Sequence, residues 1–431
     1  MMYNTLTTIP SRFRSSMKHC LLSVGIFLLV PGMLSAASQP MVGTTSQHIN
    51  TRSFHETTEL AETLWADLTN RFVGYYEKGD LTNALLVAQR AYEIANNNFG
   101  LEDVNTADAL LKLGIVHQTL GKLIQAEDEL LGSLVILEEK LSPDHPDVAV
   151  VMTNLGNVYF DLQRPEESEK YHQQARQIRI NAFGESDPSV AQSTYNLAVL
   201  YENQQDYDKA ANYYRQAIDS WSASIGPTHP YVGNALNNLA NIYNIQNKYA
   251  QAASVLQRTL DFKKSVYGAR HEEVAQTLIS LGTNYLEQGA YRPASNAYEE
   301  ALDIAQRVLP ASDPQLALLM YTLANIYHTR ARIEEQNQQR NASGDTASSG
   351  AVANSKVSMT TVGNNSHTTT LFAQALPLYE KAVEILDAGS KTGEPEAQSA
   401  LDVVLSELAM LYQEIGNKDM AQATKLRIAT H

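Results

Sequence analysis

Few residue patterns in this chain stand at spacings that could do chemistry, and each fails a specific test. His55-Glu56 opens like a zinc-hydrolase helix, but Glu59 occupies the place of the second histidine. Without two imidazoles on one helix face there is no metal site of that kind. Gly114 and Gly121-Lys122 resemble part of a phosphate loop, yet six residues separate the glycines and Leu123 follows where a Mg²⁺-binding hydroxyl is needed. No G-x-S-x-G elbow is present. His145, His229 and His271 recur along the chain, as metal ligands might. Their recurrence at a fixed step argues for turn residues instead, because ligands must converge on one point. Tyr75, Tyr159, Tyr201, Tyr243, Tyr285 and Tyr327 keep the same phase, with His117 in the remaining slot. Aromatics at fixed phase read as core before they read as a cofactor platform. The expectation is therefore a protein that is not an enzyme, with no cofactor and no metal.

The elements that carry these residues are repeats. Leu113-Gly114, Leu155-Gly156, Leu197-Ala198, Leu239-Ala240, Leu281-Gly282 and Leu323-Ala324 follow one another at a step of forty-two residues. A period of this size marks a stacked-repeat architecture. In the unit from Pro188, Val190, Leu197, Ala198 and Tyr201 lie at helical spacing, and so do Ala210, Tyr214 and Ala217. The polar turn Gln204-Gln205-Asp206 separates the two runs, so each unit is a helical hairpin. Gly226 closes the second helix and Pro230 opens the next unit, where a missing N–H costs nothing. Small residues at Ala84, Ala126, Ser168, Ala210, Ala252 and Ala294 let the paired helices approach closely.

The predicted organisation is an all-α, right-handed superhelical solenoid of about eight helix-turn-helix hairpins over 58–431. The units lie near 58–100, 101–142, 143–184, 185–226, 227–268, 269–310, 311–390 and 394–431. The seventh is split: its small alanine pair falls at Ala375 and Ala382, about 39 residues late. Residues 336–370, rich in Ser, Thr, Asn and Gly, are expected to be a disordered insertion there. Asn341-Ala342-Ser343 within it fits a glycosylation acceptor pattern. Residues 1–37 read as a signal peptide: Arg12, Arg14 and Lys18, then an apolar run from Leu21 to Val30, then Ser35-Ala36-Ala37. That run is shorter than the ~18–20 residues that span a bilayer, so cleavage is favoured over anchoring and no stable span is expected afterwards. Residues 38–57 read as a flexible tether. The only cysteine, Cys20, falls in the expected signal, so no disulfide is expected in the exported chain.

The pattern L-G/A-x-x-Y, a turn, then alanines seven apart as at Ala210 and Ala217, resembles the tetratricopeptide repeat, whose usual unit is about 34 residues. The longer unit with Phe-Gly and His-Pro punctuation, and Asn237 to Tyr243, is similar to the kinesin-light-chain subclass. The resemblance implies that the first helices line a concave groove and that this groove holds short peptide segments. The residue before each Leu and the one two after it share a helix face, and in the family that face points into the groove. Those pairs are Lys112/Ile115, Asn154/Asn157, Asn196/Val199, Asn238/Asn241, Ser280/Thr283 and Thr322/Asn325. Gln192, Tyr195, Asn234, Asn237 and Tyr321 should flank them. An amide offers both donor and acceptor to an extended backbone. The alternative is that some of these amides merely bond neighbouring helices.

Net charge is -15, which disfavours nucleic acid or anionic membrane surfaces. The expected function is a non-catalytic scaffold, exported to a bacterial periplasm or secreted, that binds proteins or extended peptides through the groove. The alternative is a structural protein that self-associates through its terminal hairpins.

Overall fold

A computed structural model describes residues 51–342, 362–391 and 395–430. The expected signal peptide, Cys20, residues 38–50 of the expected tether and Ser343 of the acceptor triplet lie outside the described residues. Within them, helix boundaries follow from local chemistry that recurs with the repeat. Asp187 opens a helix by accepting a hydrogen bond from the Ser189 amide at 2.8 Å. His145, His229 and His271 use Nδ1 in the same way, at 3.2, 3.3 and 3.2 Å. Each satisfies one of the free N–H groups at a helix start. The recurring histidines are caps.

The turn inside each hairpin needs one left-handed residue. Gly79, Gly121, Gln163, Gln205, Asn247 and Gly289 supply it one repeat apart, with φ between 55° and 73°. The turn between hairpins needs another, at Gly100, Ser142, Gly184, Gly226 and Gly268. The helices so bounded are α1 Thr51–Glu77, α2 Leu81–Asn98, α3 Val104–Thr119 and α4 Leu123–Lys140. They continue as α5 Pro146–Asp161, α6 Pro165–Phe183, α7 Pro188–Asn203 and α8 Tyr207–Ser224. Then come α9 Pro230–Ile245, α10 Tyr249–Tyr267, α11 Glu272–Glu287 and α12 Tyr291–Val308. The last are α13 Pro314–Ala342, α14 Val362–Lys391, α15 Pro395–Glu414 and α16 Lys418–Thr430. Consecutive helices pair into eight hairpins stacked as a right-handed superhelical solenoid.

Two expected boundaries shift. Helix α1 begins at Thr51, inside the expected tether. Helices α13 and α14 occupy 336–342 and 362–370 of the expected insertion. The physical reason for the second shift is packing: Thr368 is buried, its hydroxyl accepts from Gln338 at 3.4 Å, and Leu371 and Phe372 just beyond are core. A polar composition does not prevent a helix whose next turn is anchored.

The Leu-Gly/Ala pair works by close approach. A Cβ on Gly282 would lie 2.6 Å from the Tyr298 ring, and one on Gly156 would lie 2.6 Å from the His172 ring. So the small residue of the first helix receives a large side chain of the second. The in-phase tyrosines do more than fill space. Tyr201 donates to Glu169 of the preceding hairpin at 2.7 Å, Tyr327 to Glu299 and Tyr412 to Glu380, both at 2.6 Å. Burial first, and the neighbouring carboxylate second, push the Tyr201 phenol well above its ordinary value. These hydroxyls stitch one hairpin to the one before it.

Candidate peptide-binding groove

First helices approach one another along the stack: α1 contacts α3, α3 contacts α5 and α13 contacts α15. Of the helices two apart, the closest approaches are all between first helices. At these points the first helices lie on the tighter side of the stack, and their outward faces are the candidate groove.

The amides on that face divide into two groups. Asn154 is buried and donates Nδ2 to Val150 O of its own helix at 2.9 Å. Asn238 donates Nδ2 to both Tyr195 OH and Tyr214 OH, each at 3.1 Å, tying α9 to hairpin 4. Asn325 accepts from Tyr379 OH at 2.7 Å. Gln192 is buried and donates to Asn196 Oδ1 at 3.0 Å. Asn241 hydrogen-bonds Glu202, a carboxyl raised by burial and lowered by Tyr214 and Asn241. Ser280 donates to Gln276 O, and Thr283 meets Tyr298 OH at 2.8 Å. These residues spend donors or acceptors on the fold, so the ladder available to a ligand is shorter than the sequence implies. The reason is geometric: a tyrosine on the second helix reaches through to the amide of the first.

The second group is free. Asn157 and Asn237 are half-buried and Asn234 is exposed. None of the three makes a side-chain hydrogen bond within the described residues. At the joint of hairpins 4 and 5, Tyr195 and Tyr231 pack on the buried Trp221 at 5.6 Å and 5.1 Å, so these rings belong to the core. Sequence reasoning missed Tyr214 and Glu202 as parts of this network. The signal was Tyr214 itself, a hydroxyl at a slot where Leu130 and Leu256 stand in other hairpins. Lys112, the one base among the paired positions, is neutralised by Asp108. No cluster of three or more metal-ligating side chains exists among the described residues, and no helix there is long and apolar enough to cross a membrane.

The tetratricopeptide repeat family matches residues 105–181, 147–223, 189–265 and 231–307, each match beginning one repeat after the last. A comparison with curated protein sequences finds no match. Among solved structures, the chain is similar to BtubC (BKLC) from P. vanneervenii, at 18% identity and TM-score 0.45, over 65% of this chain and 99% of that one. It is similar to a kinesin light chain-like protein with nearly identical TPR-like repeats from Podosopora anserina, at 18% identity and TM-score 0.43, over 48% and 100%. It is also similar to the apo form of RapI, at 14% identity and TM-score 0.44, over 74% and 98%. Such repeats are typically non-enzymatic scaffolds that bind protein partners. Residues 105–307 are therefore tandem tetratricopeptide repeats that follow one another at a step of forty-two residues.

Proposed function

We propose that the protein is an exported, non-catalytic scaffold that holds an extended peptide segment of a partner protein in the groove of hairpins 3 to 5. The observation that carries this is the trio Asn157, Asn234 and Asn237, amides on the inner helices with unspent donors and acceptors. An extended strand presents unpaired N–H and C=O groups that such amides satisfy. No free base lies among the paired groove positions, so a terminal carboxylate is not the feature recognised. Export, to a periplasm or the exterior, rests on the composition of residues 1–37.

The test is peptide display against the mature chain, followed by affinities for the natural protein and for Asn157→Ala/Asn234→Ala/Asn237→Ala. Three lost hydrogen bonds at about 0.5–1.5 kcal/mol each weaken binding by about tenfold or more. Equal affinities for a variant that folds normally would move the site elsewhere.

Self-association is the second reading, and one observation favours it. Leu64 on α1 is 45% exposed, while its equivalents Val148, Val190, Val232 and Val274 are at most 3% exposed. A second copy seated on that face would bury it. Light scattering across a range of concentrations reads this directly, and a constant monomer mass excludes it.

A further inference from the structure

Among the described residues the apolar core divides into four clusters along the stack, and at one boundary alone the neighbouring clusters draw on no common helix. The cluster that ends with Ala175 and Ile178 on α6 shares no helix with the cluster that begins with Ala191 on α7. The other neighbouring clusters interleave on a common helix: α3 in one case, α12 in the other.

The cause is visible by comparing repeats. Arg176 stands where Leu134, Ile218, Leu260 and Leu302 are core. Arg179 stands where Leu137, Trp221 and Ala305 are core, and it is only 3% exposed. Thr194, facing them from α7, replaces Met152, Leu236, Leu278 and Met320. His172 takes the slot of Leu130 and Leu256. His172, Arg176 and Arg179 are spaced four and three apart, so they share one face of α6. Arg176 donates to Thr194 Oγ1 at 3.0 Å, and Arg179 donates to Ser193 Oγ and Ala149 O. Among the described residues neither arginine has a carboxylate within ion-pair distance. Asp187, the carboxylate that acts on Arg179, is engaged in capping α7. A buried cation without a paired carboxylate keeps an uncompensated desolvation cost that an apolar side chain in that slot would not have, so this joint is less stable than a packed apolar one.

We propose that the solenoid articulates at this polar joint between hairpins 3 and 4, and that protonation of His172 loosens it. The His172 ring is buried against the bare backbone of Gly156, and its Nδ1 has no hydrogen-bond partner among the described residues. The groups around it offer no countercharge. From α6 come the cations Arg176 and Arg179, while Glu169 is turned to Tyr201. From α5, Tyr159 stacks on Tyr171 and Asp161 accepts from Gln118. From α7 come Ser193 and Thr194, with Glu202 bonded to Tyr214 and Asp187 at the cap. Burial first, and Arg179 second, depress the imidazole from its ordinary 6.5 to about 3. A group depressed in the closed state favours that state above its ordinary value and loses the preference as pH falls below 6.5. The ratio of open to closed joint therefore rises about tenfold per pH unit below that point. Because Asn154 and Asn196 flank the same joint, its opening changes the width of the groove.

The experiment uses the full chain with Cys20→Ser and pairs of spin labels on introduced cysteines, read as distance distributions. Val135→Cys with Asp219→Cys spans the joint. Asp219→Cys with Asp303→Cys spans an equal step of two hairpins within one continuous core. At pH 7.5 the first pair is expected to be broader than the second. At pH 4.5 it moves to longer distance, with roughly a hundredfold gain in the open-to-closed ratio. His172→Leu, the residue of hairpins 2 and 5, removes the acid response. His172→Tyr, the residue of hairpins 4 and 6, does the same should the leucine variant not fold. Equal widths for the two pairs at both pH values overturn the articulation. An acid response that survives either folded variant, or that is absent from the natural chain, overturns the role of His172.

Discussion

Gln163 and Gln205 hold φ of 58° and 62°, the left-handed region in which a side chain collides with its own backbone. That conformation costs about 1–2 kcal/mol in a residue with a Cβ. Gly79, Gly121 and Gly289 do the same work without that cost. Gln205→Gly is therefore expected to stabilise the chain by about 0.5–1 kcal/mol, after the larger entropy that glycine loses on folding; urea midpoints measure it. The histidine caps make the opposite case. His229 Nδ1 satisfies the Tyr231 amide, and no apolar residue can replace that acceptor. His229→Ala is expected to destabilise by about 1 kcal/mol and His229→Asp to restore the loss. An alanine variant as stable as the natural chain would remove the cap from the account of the inter-hairpin turn.

At the scale of paired helices, stability resides in one small residue meeting one large one. The 2.6 Å approach to Tyr298 leaves no room for a methyl group at Gly282. Tyr298 is itself held by Thr283 at 2.8 Å, so it cannot swing aside without breaking that bond. Gly282→Ala is expected to cost about 1–3 kcal/mol, the range for overpacking a close-packed core. The double variant Gly282→Ala/Tyr298→Leu should recover part of it, because Leu256 already faces Ala240 in hairpin 5. Thermal unfolding of the three proteins reads the difference. The element scale also shows where the sequence was silent. The small residue at Leu-Gly/Ala was visible, but its partner sixteen residues on was not, because periodicity marks both as buried without pairing them.

Across the whole molecule, a stack whose neighbouring core clusters share no helix at one joint need not unfold as one unit. Each hairpin contacts chiefly its neighbours, so cooperativity passes only through the joints. The two tryptophans report on opposite sides of the polar joint, Trp65 in hairpin 1 and Trp221 in hairpin 4. Urea unfolding followed by each in turn, with the other replaced by Phe, is expected to give separate midpoints. Arg176→Leu/Arg179→Leu, which restores the residues of hairpin 2, should bring the midpoints together. A single shared transition in the natural chain would mean that hydrogen bonds to Ser193 and Thr194 couple the halves as firmly as apolar packing does.

The sequence by itself determined the repeat, its length, the hairpin, and the turn and cap positions. All of these follow from local periodicity and from backbone preferences that act within a few residues. The same local logic misjudged the edges of the insertion, where packing of Leu371 and Phe372 extends a helix that composition alone would not support. Only the tertiary structure decided which amides are free. Asn238 looks no different from Asn237 in the chain, yet among the described residues one bridges Tyr195 and Tyr214 and the other makes no side-chain hydrogen bond. It also decided that His172, Arg176 and Arg179 meet Ser193 and Thr194 across one joint. Contacts between hairpins depend on how the units rotate against one another, and no single unit encodes that rotation.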